Sequence, residues 1–250
     1  MADVEVTYEN TLIKSLSASG QAVLHTAGKY CDDDITIDYT QPQTGEVEII
    51  SGGSTNTVFS GRIVGISKLK VTAGAASHLI TKCNLYGANF VDNPVEITYS
   101  GFANQNATLT DFYRSVSWIK KVDFGGVNLP TTLSRFFYIP SNCADHTMII
   151  KGLNWSNVTS PGIIFHTTTA YTAYKGNNFY IDVEWNGTIN CNLNFCYSST
   201  TYVPITHSSL VGLLNALSNN GGTITIGQGN IDSLTADEIA IATGKGWTLA

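Results

Sequence analysis

Charge is the first thing this sequence is short of. Charged residues make up 13% of it, about half the usual share of roughly 25%, and Thr and Asn together outnumber them. No basic stripe exists, which excludes a nucleic-acid surface of the ordinary electrostatic kind. No apolar run approaches the roughly 20 residues that cross a bilayer as a helix, so membrane insertion is not expected. Cysteine is sparse and odd in number, at five, which fits free buried thiols better than a disulfide framework. Cys191 and Cys196 have no second pair to complete a zinc site, and the five His (25, 78, 146, 166 and 207) show no metal-ligand spacing. A Gly-x-Ser-x-Gly elbow, a P-loop and a dinucleotide fingerprint are all missing. Asp182 and Glu184 share a strand face as a carboxylate pair might in a glycosidase, but such pairs usually belong to a solvated sheet face. The expectation is a protein that is not an enzyme, with no metal and no cofactor.

What the sequence has is a strand that keeps returning. Lys68–Thr72, Val95–Tyr99, Ile119–Phe124, Met148–Leu153 and Phe179–Trp185 read as strands, with starts 27, 24, 29 and 31 residues apart. A further run of this kind is Thr223–Ile226. Side chains in a strand alternate between two faces, and the alternation keeps one phase throughout. Leu69, Val71, Val95, Ile97, Val122, Phe124, Met148, Ile150, Ile181, Val183, Ile224 and Ile226 form an apolar set. Lys70, Glu96, Lys121, Asp123, Lys151, Asp182 and Glu184 lie between them. An antiparallel sandwich shows the same alternation, but connections of roughly 20 residues are too long for hairpins, whose loops run about 2–5. Recurrence at this period marks a repeat array stacked in parallel, with one buried and one wet face.

The residues after the strands point to a family. Asn154-Trp-Ser-Asn-Val-Thr-Ser160 followed by Phe165-His-Thr-Thr-Thr169 resembles the repeat of BspA-like leucine-rich-repeat proteins. The anchor-then-polar pattern recurs at Phe195-Cys-Tyr-Ser-Ser-Thr200 and, loosely, at Phe136-Phe-Tyr-Ile-Pro-Ser-Asn-Cys143. An aromatic would fill the interior, and a Cys, Thr or Asn would then stack on its equivalent in the next coil. The tail from Thr206 to Leu249 resembles the closing unit of such proteins in phages and on bacterial surfaces. The resemblance implies a mainly β fold: a leucine-rich-repeat-like parallel β solenoid with a small N-terminal β module and a C-terminal helical cap.

The chain divides accordingly. Residues 1–44 form the N-terminal module, with strands at Val4–Tyr8 and Ile35–Tyr39 and turns at Ser17–Gly20 and Ala27–Gly28. Gln41-Pro-Gln-Thr-Gly45 reads as a linker. Residues 45–67 hold that linker and an N-cap, built on a hairpin-like pair of strands, Val47–Ile50 and Arg62–Ile66. Residues 68–205 are the repeat array and 206–250 the capping unit. In the cap, Leu210, Leu213, Leu214 and Leu217 fall on one helical face, and Thr235-Ala-Asp-Glu238 is a capping box that starts a second helix. Leu129-Pro-Thr-Thr-Leu133 is similar to a cell-wall sorting signal but lacks its final Gly, and it reads as a loop. Residues 1–50 hold nine acidic and two basic side chains, so the whole net charge of −6 resides in the N-terminal fifth. That acidity fits either a docking surface for a basic partner or a solvated face that aids solubility. The Asp32–Asp34 triplet lacks the spaced ligands of a calcium loop.

Residues 19–35 resemble a module found in structural proteins of phages and prophages of gut Firmicutes. The implied function is a virion structural protein of a phage tail fibre, tip or baseplate that recognises the host surface through its repeats. The N-terminus, Met-Ala-Asp-Val-Glu-Val, has no basic or apolar stretch of a signal peptide. That favours the virion over the alternative, a bacterial BspA-like cell-surface adhesin. Expected partners are other virion proteins through the N-terminal module and a host cell-surface glycan or protein, with homo-oligomers also possible. The expected binding residues are Lys121, Asp123, Lys151, Trp155, Tyr180, Asp182 and Glu184, on or beside the wet face.

Overall fold

The computed structural model describes residues 5–8, 11–13, 34–51, 56–73, 79–86, 95–102, 109–110, 113–114, 119–139, 143, 145–198 and 200–250. Side chains are described at 67–73, at 96–102 and, within those ranges, from Ile119 onward. The expected turns at 17–20 and 27–28, together with His25, His78, Cys31, Asp32 and Asp33, lie outside the described residues.

The fold is mainly β. The chain opens with β1 (Glu5–Tyr8), β2 (Thr11–Ile13), β3 (Asp34–Ser51), β4 (Asn56–Ala73) and β5 (Leu79–Tyr86). From there the strands come in threes. The first set is β6 (Val95–Ser100), β7 (Leu109–Thr110) and β8 (Tyr113–Arg114). The second is β9 (Ile119–Asn128), β10 (Thr132–Ser134) and β11 (Phe137–Tyr138). The third is β12 (Thr147–Asn154), β13 (Ser160–Pro161) and β14 (Phe165–His166). A short helix, α1 (Tyr171–Gly176), precedes the fourth, β15 (Tyr180–Val183), β16 (Leu193–Asn194) and β17 (Cys196–Ser198). The chain closes with β18 (Thr201–Tyr202), α2 (His207–Ala216), β19 (Gly222–Thr225), α3 (Gln228–Ile231), α4 (Ala236–Gly244) and β20 (Trp247–Leu249).

Members of the first three sets pair in parallel; of the fourth only β15 joins them, while β16 pairs with β19 and β17 pairs antiparallel with β18. The first ladder runs β4–β6–β9–β12–β15, the second β5–β8–β11–β14 and the third β7–β10–β13. The long β4 serves two ladders, since Asn56–Arg62 pairs with β5 and Lys68–Thr72 with β6. In the first ladder Leu69, Ile97, Val122, Ile150 and Val183 stand opposite one another in register, and all five are buried. Beside them Tyr99 stacks on Phe124 at 5.2 Å. In the second, Phe137 lies 5.9 Å from Phe165, which lies 5.5 Å from Phe195. Each such side chain contributes about 1.5–3 kcal/mol when taken from water, so these columns dominate the favourable side of folding.

Five expectations need correction. Val47–Ile50 and Arg62–Ile66 do not form a hairpin, because β3 and β4 pair in parallel. Val47 stands opposite Leu69, twenty-two residues on, so the segment read as a cap adds another rung to the first ladder. Thr223–Ile226 supplies a strand, but β19 lies in a separate parallel sheet between β16 and β20. Thr132–Leu133 belongs to β10 and not to a loop. The sequence shows a clear helical period only in the tail, yet α1 lies outside it; at six residues it is too short for a helical period to register, and only Tyr174 in it is buried. The Gln41–Gly45 stretch lies within β3, where the register with β4 shifts between Asp38 and Gln43 and again between Gln43 and Glu46.

The tail closes the array with helices. Thr206 caps α2, its hydroxyl accepting the Ser209 N–H, and Leu210, Leu213, Leu214 and Leu217 are all buried. Thr235 and Glu238 form the reciprocal capping box of α4. Trp247 is buried and its indole N–H donates to the Ser218 carbonyl.

Val122 is fully buried between Ile97 and Ile150, so Val122→Asp places an unpaired charge in the aliphatic column. The expected loss is about 3–5 kcal/mol, read from the urea midpoint. A shift of less than about 1 kcal/mol would show that the column does not hold the ladder.

Candidate functional site

The outward face of the first ladder carries most of the expected binding residues. Lys121, Asp123, Lys151 and Asp182 are half-buried on it, Tyr180 opens β15, and Glu184 lies exposed just beyond that strand. Trp155 is the exception: it is 2% exposed and packs inside against Trp185 at 5.0 Å and Phe136 at 6.1 Å. The cause is a bulge. Gly152 takes φ +73°, the register with β9 shifts between Lys151 and Leu153, and the inward phase passes from Met148 and Ile150 to Leu153 and Trp155. A Cβ at Gly152 would lie 2.6 Å from Asp123 Oδ1 and 2.7 Å from the Gly125 nitrogen, so only glycine fits there. Among the described residues the indole nitrogen of Trp155 has no hydrogen-bond partner.

Among the described side chains, two charged contacts tie neighbouring strands. Lys151 Nζ lies 3.0 Å from Asp123 Oδ2, and Lys120 Nζ lies 3.4 Å from Glu96 Oε1. Desolvation pushes the Asp123 carboxyl up, but the Gly125 N–H at 3.1 Å and the Lys151 and Lys121 ammonium groups outweigh it. The net effect holds the carboxyl below its ordinary value. The Asp123 hydrogen bond and charge raise Lys151, with a further contribution from Glu184.

At the α2 end of this face the surface forms a groove of about 290 Å³, lined by Ile149, Lys151, Asp182, Val183, Glu184, Ser208 and Ser209. Asp182 accepts a 2.7 Å hydrogen bond from Thr206 Oγ1, the hydroxyl that caps α2. Ser209 Oγ accepts the Val183 N–H at 2.9 Å, and the Trp185 indole donates to the Ser209 carbonyl at 2.9 Å. The Glu184 carboxylate accepts from the Asn186 amide. The structure thus brings Lys151, Asp182 and Glu184 into one groove. Lys121, Asp123 and Tyr180 stay on the face outside it, and Trp155 lies behind it. Sequence reasoning missed Ile149, an apolar residue at an outward position, and the Thr206–Ser209 turn. The hydroxyl-rich start of α2 was the signal for that turn, since Thr is a preferred N-cap.

Chemically the groove offers one ammonium, two carboxylates and hydroxyl groups, a set suited to hydrogen-bonding a polyhydroxylated or charged ligand. Cys143, Cys191 and Cys196 are free and poorly nucleophilic. Burial pushes the Cys143 thiol up to about 12, and the Cys191 and Cys196 thiols to about 11. The chain matches no protein-family model, no curated protein and no solved structure.

The Asp123 carboxyl has its value lowered on folding, so its contribution is complete above the ordinary 3.8 and is lost as pH falls through the lower folded value. A pair this open to water contributes no more than about 1 kcal/mol. Asp123→Asn should therefore lower the urea midpoint slightly at neutral pH, and the difference from the parent should vanish well below pH 3.8. A difference that persists in acid would show that the carboxylate charge is not the cause.

Proposed function

We propose that this chain is a non-enzymatic structural protein of a phage virion, part of a tail fibre, tip or baseplate. In this reading residues 68–205 are a β solenoid of the BspA-like leucine-rich-repeat type. The acidic N-terminal module holds the protein to other virion components, and the outward face of the first ladder meets a glycan or protein on the host surface. The observation that carries the reading is the parallel ladder whose strands recur every few dozen residues, with an aliphatic column inside and Lys151, Asp182 and Glu184 gathered outside. Repeat arrays bind partners on the extended surface their stacked units create. Exposed ion pairs contribute about 0–1 kcal/mol each, so stability alone accounts poorly for the charges on this face.

Two measurements test it. Antibodies against the purified chain should label one end of phage particles, and labelling of an intact cell envelope would overturn the virion assignment. Particles carrying Asp182→Ala, Glu184→Ala and Tyr180→Ala together should lose adsorption to host cells, with Tm of the purified protein lowered by no more than about 4 °C. Undiminished adsorption would remove this face as the contact surface.

A further inference from the structure

A second outward surface has a different chemistry. On the second ladder rings also follow the buried Phe137 and Phe165, and beyond its end Tyr197 lies two residues after the buried Phe195. Tyr138 lies 5.5 Å from His166, and His166 lies 5.2 Å from Tyr197. Tyr138 and His166 are half-buried, while Tyr197 is 57% exposed, the one large hydrophobic side chain so exposed among the described residues. The parallel register that aligns Phe137 with Phe165 also aligns Tyr138 with His166, and Tyr197 reaches His166 from β17, which pairs antiparallel with β18.

The row ends in a groove of about 400 Å³ lined by Asn194, Cys196, Tyr197, Ser198, Thr225, Gly227, Gln228 and Ala250. No lining side chain carries a charge, and the Cys196 thiol stays protonated at neutral pH because burial pushes it to about 11. Hydrogen-bonding groups remain. Asn194 uses its carbonyl oxygen to accept the Cys196 N–H at 2.9 Å, which leaves its amide N–H groups as donors. Gln228 donates its amide to Asp232 at 2.7 Å, which leaves its carbonyl oxygen as an acceptor. Ser198 Oγ accepts the Thr201 N–H at 3.1 Å and keeps its own proton to donate.

We propose that the Tyr138–His166–Tyr197 row and the groove at its Tyr197 end bind a neutral saccharide. Three comparisons favour that ligand. A nucleic acid needs cations to displace its counterions, and the groove lining has none. A stable protein partner buries about 800 Å² on each side, whereas a cavity of this volume is the size that holds a small ligand. A purely apolar ligand would leave the Asn194, Ser198 and Gln228 groups unpaired. A sugar ring presents C–H groups on one face and hydroxyls around its edge. It can stack on a tyrosine ring while exchanging hydrogen bonds with two amides and a hydroxyl. This site is separate from the charged groove at Lys151, Asp182 and Glu184, and it stands whether or not the chain belongs to a virion.

The test uses the purified full chain and saturation-transfer NMR, backed by calorimetric titration. The probes are neutral oligosaccharides of glucose, galactose, mannose and N-acetylglucosamine, with polygalacturonate and a single-stranded oligonucleotide as charged comparisons. At least one neutral oligosaccharide should bind saturably and both polyanions should fail. Tyr197→Ala should weaken that binding about tenfold, while Tyr197→Phe, which keeps the ring, should stay within about threefold of the parent. Far-UV circular dichroism checks that both variants fold, as the exposure of Tyr197 leads one to expect. The proposal is overturned if no neutral oligosaccharide binds, if a polyanion binds more tightly, or if binding is the same in folded Tyr197→Ala. Because no particle is involved, loss of host adsorption in the charged-face variants and loss of sugar binding here are independent results.

Discussion

Parallel main-chain pairing between segments a few dozen residues apart is the constraint on which everything else here depends. A parallel pair cannot close through a tight turn and needs a long crossover. Between β6 and β9 and between β9 and β12 the chain meets that need by placing two further short strands in the connection, which themselves pair with their equivalents in the next set. Once the first ladder is in register, the other two are nearly fixed. The inner columns follow, aliphatic in the first ladder and phenylalanine-rich in the second. What lies outside is then whatever the alternate residues happen to be.

Much of this was legible because an alternating stretch recurs in each of five strands. Leu69 to Val183 reads as an apolar set with charges between, and the buried and half-buried positions follow that set. Parallel pairing was legible from connection length alone. The third ladder was not, because strands of two or three residues such as β7, β10 and β13 are too short for any period. Nor was the placement of β19, whose Thr-Ile-Thr-Ile run matches the first ladder in composition but pairs with β16 and β20 in a separate sheet.

The candidate site was half legible for a related reason. Lys121, Asp123, Lys151 and Asp182 lie on strands before a break in phase, so counting by twos places them correctly. Trp155 lies after the Gly152 bulge, where the count is off by one, and a residue expected outside is found in the core. A glycine within a strand is a known mark of such bulges, but sequence alone does not say which way the phase resumes. The Thr206–Ser209 turn that closes the groove comes from an element twenty-odd residues downstream of Asp182. Only the packing of α2 against the end of the ladder brings it there.

The distance between aligned residues is not constant along the ladders. Leu133 follows Leu109 by twenty-four residues and Pro161 follows Leu133 by twenty-eight. Val183 follows Ile150 by thirty-three, and the excess there is taken up by α1 and the turn after it. Pairing therefore specifies where the chain must return and leaves open how much chain it uses in between. A frame of this kind separates alignment from length. Segments can be lengthened, shortened or exchanged at the rim without disturbing the columns beneath, so surface variety can accumulate on an interior that stays the same.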